Sequence, residues 1–452
     1  MKRDRSAVTA LVVVAIVLTT ATAALAEGKP VEPGNATPEQ FNSFTGCGCH
    51  SALIEQWAPS MHAQALTDPL YLTKLEEAQE ATDGKLGAFC NTCHGPIATM
   101  TGEMASGDLS EVSAEAVTCS FCHLATSNQG EPANVSHLVT LDGVRRAQLK
   151  DPQAPHPAAY SEFHEKAELC GGCHNVNHPV NGMHLETTYT EWKQGPYSGE
   201  GITCQDCHMS SAPGTIGPTA GVAAAGGPQR DNISKMTFVG GQVALGPSDV
   251  ATARLQSAAQ IELEVPEIVP AGQDAQVAVT ITNSGAGHYL PTGVTEVRQM
   301  WLEVSAEAPD GEITKVGERI FGTILEDEKG NAPVELWEAV AIKSDDRIPP
   351  KESVSEQYTF TMPEGVERSK LTAALLYKSA PDEFAEKAQV ENPTTQMAVA
   401  SQDVFISDEA KAAAMELQGS ESFDGWNMAV IIAGLAAVFG LVVFFVYRGR
   451  TG

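Results

Sequence analysis

The sequence predicts a mostly irregular and α-helical N-terminal domain, an antiparallel β-sandwich behind it, and one C-terminal transmembrane helix. Three observations carry that reading. All ten cysteines lie between Cys47 and Cys207, leaving none in the remaining 245 residues. Beyond Ser257, apolar and polar residues alternate at period two, the mark of half-buried strands. From Met428 to Val446, 19 consecutive residues carry no charge. A chain of 452 residues, 42% of them hydrophobic, is long enough for two or three domains. With 57 acidic against 28 basic residues the formal charge is −29, which repels nucleic acid and anionic lipid and favours a basic partner.

Taken in order, residues 1–26 read as a signal peptide. Lys2, Arg3 and Arg5 precede an apolar run from Ala7 to Leu18 and an Ala24-Leu25-Ala26 cleavage pattern. Residues 27–210 form the cysteine-bearing domain, and 211–257 a Gly/Ala/Pro linker or loosely wrapped segment. Residues 258–407 form the β-sandwich, and 408–425 a second linker. The transmembrane helix is placed at 426–448, where 19 uncharged residues rise about 28 Å as a helix, and 449–452 is a cytoplasmic tail. Trp426 and Tyr447 flank the run, and Arg448 and Arg450 follow it. By the positive-inside tendency the bulk of the chain then lies outside, in a single-pass protein of the cytoplasmic membrane.

The cysteines fall in five pairs, each followed at once by histidine. They are Cys47-Gly-Cys49-His50, Cys90-Asn-Thr-Cys93-His94, Cys119-Ser-Phe-Cys122-His123, Cys170-Gly-Gly-Cys173-His174 and Cys204-Gln-Asp-Cys207-His208. Four are the C-x-x-C-H attachment sequence of haem c. Two thiols bond the vinyl groups on one porphyrin edge, and the next imidazole turns under the ring to bind iron. Disulfides, zinc knuckles and thioredoxin-like pairs also use paired cysteines, but none requires a histidine directly after the second. The first motif is one residue short, so either both thioethers form across a tighter turn or Cys49 alone bonds. The expected cofactor is about five covalently attached haems c.

His50, His94, His123, His174 and His208 are the proximal ligands by position. Distal ligands come from the other histidines. His62 follows the first motif on a short helical pattern, and His137 follows the third motif. One of His156 and His164 is expected to serve, with His164 ahead. His178 cannot reach the iron of His174, four residues earlier, because the porphyrin separates the two faces; it would serve a neighbour. His184 is the spare, and Met61, Met183 and Met209 offer sulfur as an alternative. In the sandwich, His288 sits in the glycine-rich loop Asn283–Gly293, where it either turns to solvent or is donated to the haem domain as a distal ligand.

These residues resemble a family. Residues 41–210 are similar to the multihaem cytochromes c related to hydroxylamine oxidoreductase and the tetrahaem nitrification cytochromes. The likeness rests on Trp57-Ala-Pro-Ser-Met-His62-Ala, on Ser161-Glu-Phe-His-Glu-Lys-Ala-Glu-Leu-Cys170, and on Tyr189-Thr-Glu-Trp192 leading to Cys204–Met209. Gly287-His-Tyr-Leu-Pro-Thr-Gly293 and Asp346-Arg-Ile-Pro-Pro350 look like the β-domain that follows the haems in some of these proteins. The resemblance implies closely stacked, mostly bis-histidine haems passing electrons. Cys47-Gly-Cys49 departs from the pattern, and there is no C-x-x-C-K motif of the kind a pentahaem nitrite reductase uses.

The expected function is electron transfer between redox partner proteins, such as a quinone-linked membrane complex or another cytochrome, with no nucleic acid involved. A haem enzyme acting on a nitrogen or sulfur oxyanion at a five-coordinate iron is the alternative, and a scaffolding subunit is a third reading.

Overall fold

The computed structural model describes residues 28–416. The N-terminal half is a string of short helices with little sheet. Most are under two turns long, because glycine, proline and the cysteine motifs break any longer run. The longest, Pro69–Ala81, is capped by the Asp68 carboxylate, which accepts from the Leu70 N–H at 2.8 Å, with proline at the first helical position. The apolar core of this half is small. Phe41, Ile97, Met100, Phe121, Leu124 and Val139 are its main members.

The sandwich is built from strands β1 (Gln260–Glu264), β2 (Asp274–Thr282), β3 (Gln299–Glu307), β4 (Ile313–Phe321), β5 (Ser353–Thr361), β6 (Arg368–Lys378) and β7 (Thr395–Phe405). One sheet has the order β1-β2-β5 and the other β4-β3-β6-β7, with every neighbour antiparallel. The alternation seen in the sequence turns one set of side chains inward. Val277, Val279 and Ile281 of one sheet meet Met300, Leu302, Val304, Leu371, Ala373 and Leu375 of the other, all fully buried. Each large aliphatic side chain so buried contributes roughly 1.5–3 kcal/mol. On the outer face Thr280 and Thr282 pair with Ser355 and Ser353 through hydroxyl hydrogen bonds of 2.9 and 2.8 Å.

Two expectations are corrected. Among the described residues no helix is long and apolar enough to cross a membrane. That finding overturns the transmembrane helix as part of the fold, and with it the single-pass location. An apolar run reports a transfer preference, and that alone does not make a spanning helix. Residues 426–448, on which the helix was placed, and residues 1–26, assigned to the signal peptide, lie outside the described residues.

The segment 211–257 carries regular structure of its own. It holds a hairpin, Thr219–Val222 with Gln229–Ile233, and a helix, Ser248–Gln256. The segment wraps the N-terminal half, because its backbone carbonyls are the acceptors that two motif histidines need.

The halves are locked together at Glu191. Its carboxylate accepts from Arg347 Nη1 at 2.5 Å, the Thr187 hydroxyl at 2.6 Å, the Tyr289 N–H at 3.0 Å and the Thr292 hydroxyl at 2.6 Å. Both charged side chains are buried, at 7% exposure for Arg347 and 4% for Glu191. Asp345 holds the far side of the guanidinium at 2.8 Å.

Candidate functional site

Each motif sits on a short helical turn, and helical spacing explains its chemistry. Residues three and four apart project from one face, so two cysteines and the following histidine converge. The second, third and fifth motifs lie on Gly87–His94, Cys119–Leu124 and Cys204–His208. In the fourth, the helix Glu168–Gly171 continues as a turn, with the His174 N–H bonded to the Cys170 carbonyl at 2.9 Å. The short first motif forms a 3-10 turn, Gly48–His50, with Cys47 just before it and Cys49 exposed.

All ten cysteines line one continuous cavity of about 1860 Å³. That is far above the roughly 300–1,000 Å³ of a single ligand pocket, and a packed protein interior leaves no such void. His50, His62, His94, His123, His137, His156, His164, His174, His178, His208 and His288 line it too. His184 points away and bonds Asn177 at 2.5 Å.

The five motif imidazoles are oriented alike. The Nδ1–H donates to Ala223 O from His50 (2.8 Å), Ala65 O from His94 (2.9 Å), Arg146 O from His123 (2.6 Å) and Val239 O from His208 (3.1 Å). His174 differs, since its partner is a carboxylate oxygen of Glu186, at 3.3 Å. Such an anchor fixes the tautomer and presents Nε2 as the lone-pair donor. Burial lowers the pKa of His94, His123 and His208. It pushes the His208 pKa down to about 3, with His288 and Arg254 adding to the effect.

Four of the five face a second imidazole. Ring centroids are 6.3 Å apart for His50–His156, 6.2 Å for His62–His174, 5.7 Å for His123–His164 and 6.3 Å for His208–His288. Two imidazoles on one metal, each at a bond length of about 2 Å, stand roughly 6 Å apart between centroids. Burial also lowers the pKa of two far members, His62 to about 3 and His164 to about 4.

His94 is different again. Tyr71 stacks on its ring at 3.6 Å and 8°, and the tyrosine hydroxyl donates to Asn91 Oδ1 at 2.7 Å. Stacking clamps the imidazole plane without occupying the position along its Nε2 axis.

Three distal candidates need comment. His156 stands opposite His50 and His164 opposite His123, so both are brought to motif histidines. His137 is held differently. It donates from Nε2 to the Leu169 carbonyl at 2.8 Å and packs between Phe121 and Phe163. Its Nδ1 is buried without a partner, as is the Nε2 of His178.

His137 also lies on Gly172 within the fourth motif. A Cβ there would stand 2.2 Å from His137 Cε1. Gly172→Ala is therefore expected to displace His137 and cost about 1–3 kcal/mol. Thermal unfolding of the loaded protein, with a lowered midpoint, checks this.

The residues fit haem c. Apart from the short first motif, each site offers two thiols on one helical face, an anchored imidazole and an apolar cavity wall. Orphaned polar atoms point the same way. The Nδ1 of His164 and the buried guanidinium nitrogens Arg145 Nη1 and Arg254 Nε have no partner among the described residues, and both arginines line the cavity. A carboxylate-bearing iron porphyrin would satisfy them, its carboxylates the guanidinium N–H groups and its iron the imidazole nitrogen. When bound, haem c supplies a one-electron Fe(III)/Fe(II) couple.

The motifs are also set close together. The thiols of Cys170 and Cys204 are close enough to influence each other, as are those of Cys173 and Cys93. Cys122 is near enough to act on both Cys170 and Cys173, and Cys47 on Cys119. The fourth motif is therefore the junction of the set.

Sequence reasoning missed Glu186, Tyr71 and Arg298. None carries a local signal. Glu186 stands 12 residues from His174, and Arg298 reaches the site from the sandwich.

Comparison with known proteins agrees with this site. The model of the family described as cytochrome c554 and c-prime matches residues 47–124. A cytochrome c-552 of Haemophilus influenzae is 25% identical over 234 residues, covering 38% of this chain and 43% of its own. A cytochrome c-552 from a second Haemophilus influenzae strain, 86-028NP, matches with the same identity and coverage. The chain thus spans less than half the length of these curated relatives. A penta-heme cytochrome c552 from Thermochromatium tepidum shares the fold, with a TM-score of 0.61 and 20% identity, over 83% of this chain and 100% of that one. With its attachment motifs gathered round one cavity, the chain is similar to the multihaem cytochromes c, and its five motifs support about five covalently bound haems.

Proposed function

We propose that this chain is an extracytoplasmic electron conduit, passing electrons from one redox protein to another along mainly bis-histidine haems. The observation that carries the reading is the pairing of four motif histidines with a second imidazole at 5.7–6.3 Å. Such pairing leaves no coordination position for a substrate at those four irons. The close approach of neighbouring motifs supports transfer between them. The excess of acidic side chains steers a basic partner, a quinone-linked complex or another cytochrome.

A second reading rests on His94, whose ring neighbour is Tyr71. An iron held there with an open sixth position is the place for chemistry on a nitrogen or sulfur oxyanion. Lys74 and Arg298 line the same cavity and supply positive charge.

Electron paramagnetic resonance of the oxidised protein separates the two. Low-spin signals alone, unchanged by nitrite, hydroxylamine or cyanide, are the conduit's expected result. A high-spin signal that nitrite or hydroxylamine shifts makes the second reading the better one.

A further inference from the structure

Among the five anchored motif imidazoles, four donate to a neutral backbone carbonyl, and only His174 donates to a carboxylate. Glu186 is well enclosed, its side chain 14% exposed, and the Thr188 hydroxyl donates to the same oxygen at 3.3 Å.

A carboxylate behind a ligating imidazole makes that imidazole a stronger electron donor. A more electron-rich ligand favours the oxidised iron, and hydrogen bonding around the ligands is one of the protein's levers on potential. The position matters because the fourth motif stands next to the second, at Cys93, and the fifth, at Cys204, along one cavity.

The sandwich reaches this pair. Arg298, which follows the 3-10 turn Thr295–Val297, lines the same cavity wall as Glu186 and Thr188. Thr188, beside Glu186, exchanges a 2.9 Å hydrogen bond with Thr292 of the sandwich.

We infer that Glu186 sets the haem of the fourth motif as a low-potential junction, and that Arg298 of the sandwich moderates it by partly neutralising the carboxylate. Glu186 and Arg298 are positioning residues, acting through His174. The inference rests on the electron-transfer reading above.

The test is a spectroelectrochemical titration of the loaded protein, read alongside its low-spin resonance signals. In Glu186→Gln, one midpoint potential is expected to rise while the others hold. A hydrogen bond to a charged group is worth about 1.5–3 kcal/mol. The oxidised-to-reduced ratio at fixed poise therefore falls about tenfold or more, tenfold being about 59 mV for one electron.

Arg298→Gln is expected to move the same potential the other way, which keeps the test informative should either variant fold poorly. Unchanged potentials and resonance signals in both variants, with every haem still attached, overturn the inference. A wild-type protein lacking reducible haem bands defeats the underlying reading instead.

Discussion

In a His288→Ala variant, one haem is expected to pass from low-spin to high-spin while the rest keep their signals. The reason lies in how the sandwich holds this side chain. The ring stands 6.3 Å from that of His208 at an angle of 20°, and its Nδ1–H donates to the Tyr289 carbonyl at 2.9 Å. Asn283, itself fully buried, fixes the loop. Its amide donates to the His288 and Ile348 carbonyls at 2.8 and 3.0 Å, and its oxygen accepts from the Ala286 N–H at 3.1 Å.

Nothing in a truncated side chain replaces the lost nitrogen. Axial ligands set haem potentials over about 0.8 V, so the change at this one iron is expected to be large. Added imidazole should restore the low-spin signal, and His288→Met should keep six ligands at a raised potential. A spectrum unaltered by His288→Ala reduces the sandwich to a spacer.

The second large effect is expected at Arg347→Met. The substitution strips the cation from Glu191 and leaves a buried carboxylate with only hydroxyl and N–H partners. Removing one member of a buried ion pair costs about 3–5 kcal/mol, and here the pair joins the two halves of the chain. Thermal unfolding should show a markedly lowered midpoint, accompanied by partial loss of the low-spin signal that depends on His288. Replacing both partners with leucine should recover much of the stability, because no uncompensated charge remains. If Arg347→Met melts like the wild type, the interface is held by other contacts.

The attachment motifs were legible because their chemistry is local. Two thiols and an imidazole must meet one porphyrin edge, so their spacing is written within five residues, and the sandwich strands show themselves through an equally local alternation. What joins distant parts was not legible. As text His137 is the stronger candidate and His156 the weaker, yet the fold sets His156 opposite His50 and turns a nitrogen of His137 to the Leu169 carbonyl. Glu191 reads as one of many acidic side chains on a charged helix, and only the meeting with Arg347, 156 residues on, gives it a role. The Gly/Ala/Pro composition of 211–257 suggested a linker or a loose wrapping, since composition does not reveal which carbonyls an imidazole will find.

That wrapping segment has a consequence for biogenesis. Ala223 and Val239 hold imidazoles belonging to the first and fifth motifs, and the cavity wall runs on through His288 and Arg298 to Met397. Every reactive thiol is therefore synthesised before the polypeptide that closes over it. Attachment is therefore expected while the chain is still open, before the later residues close over the motifs.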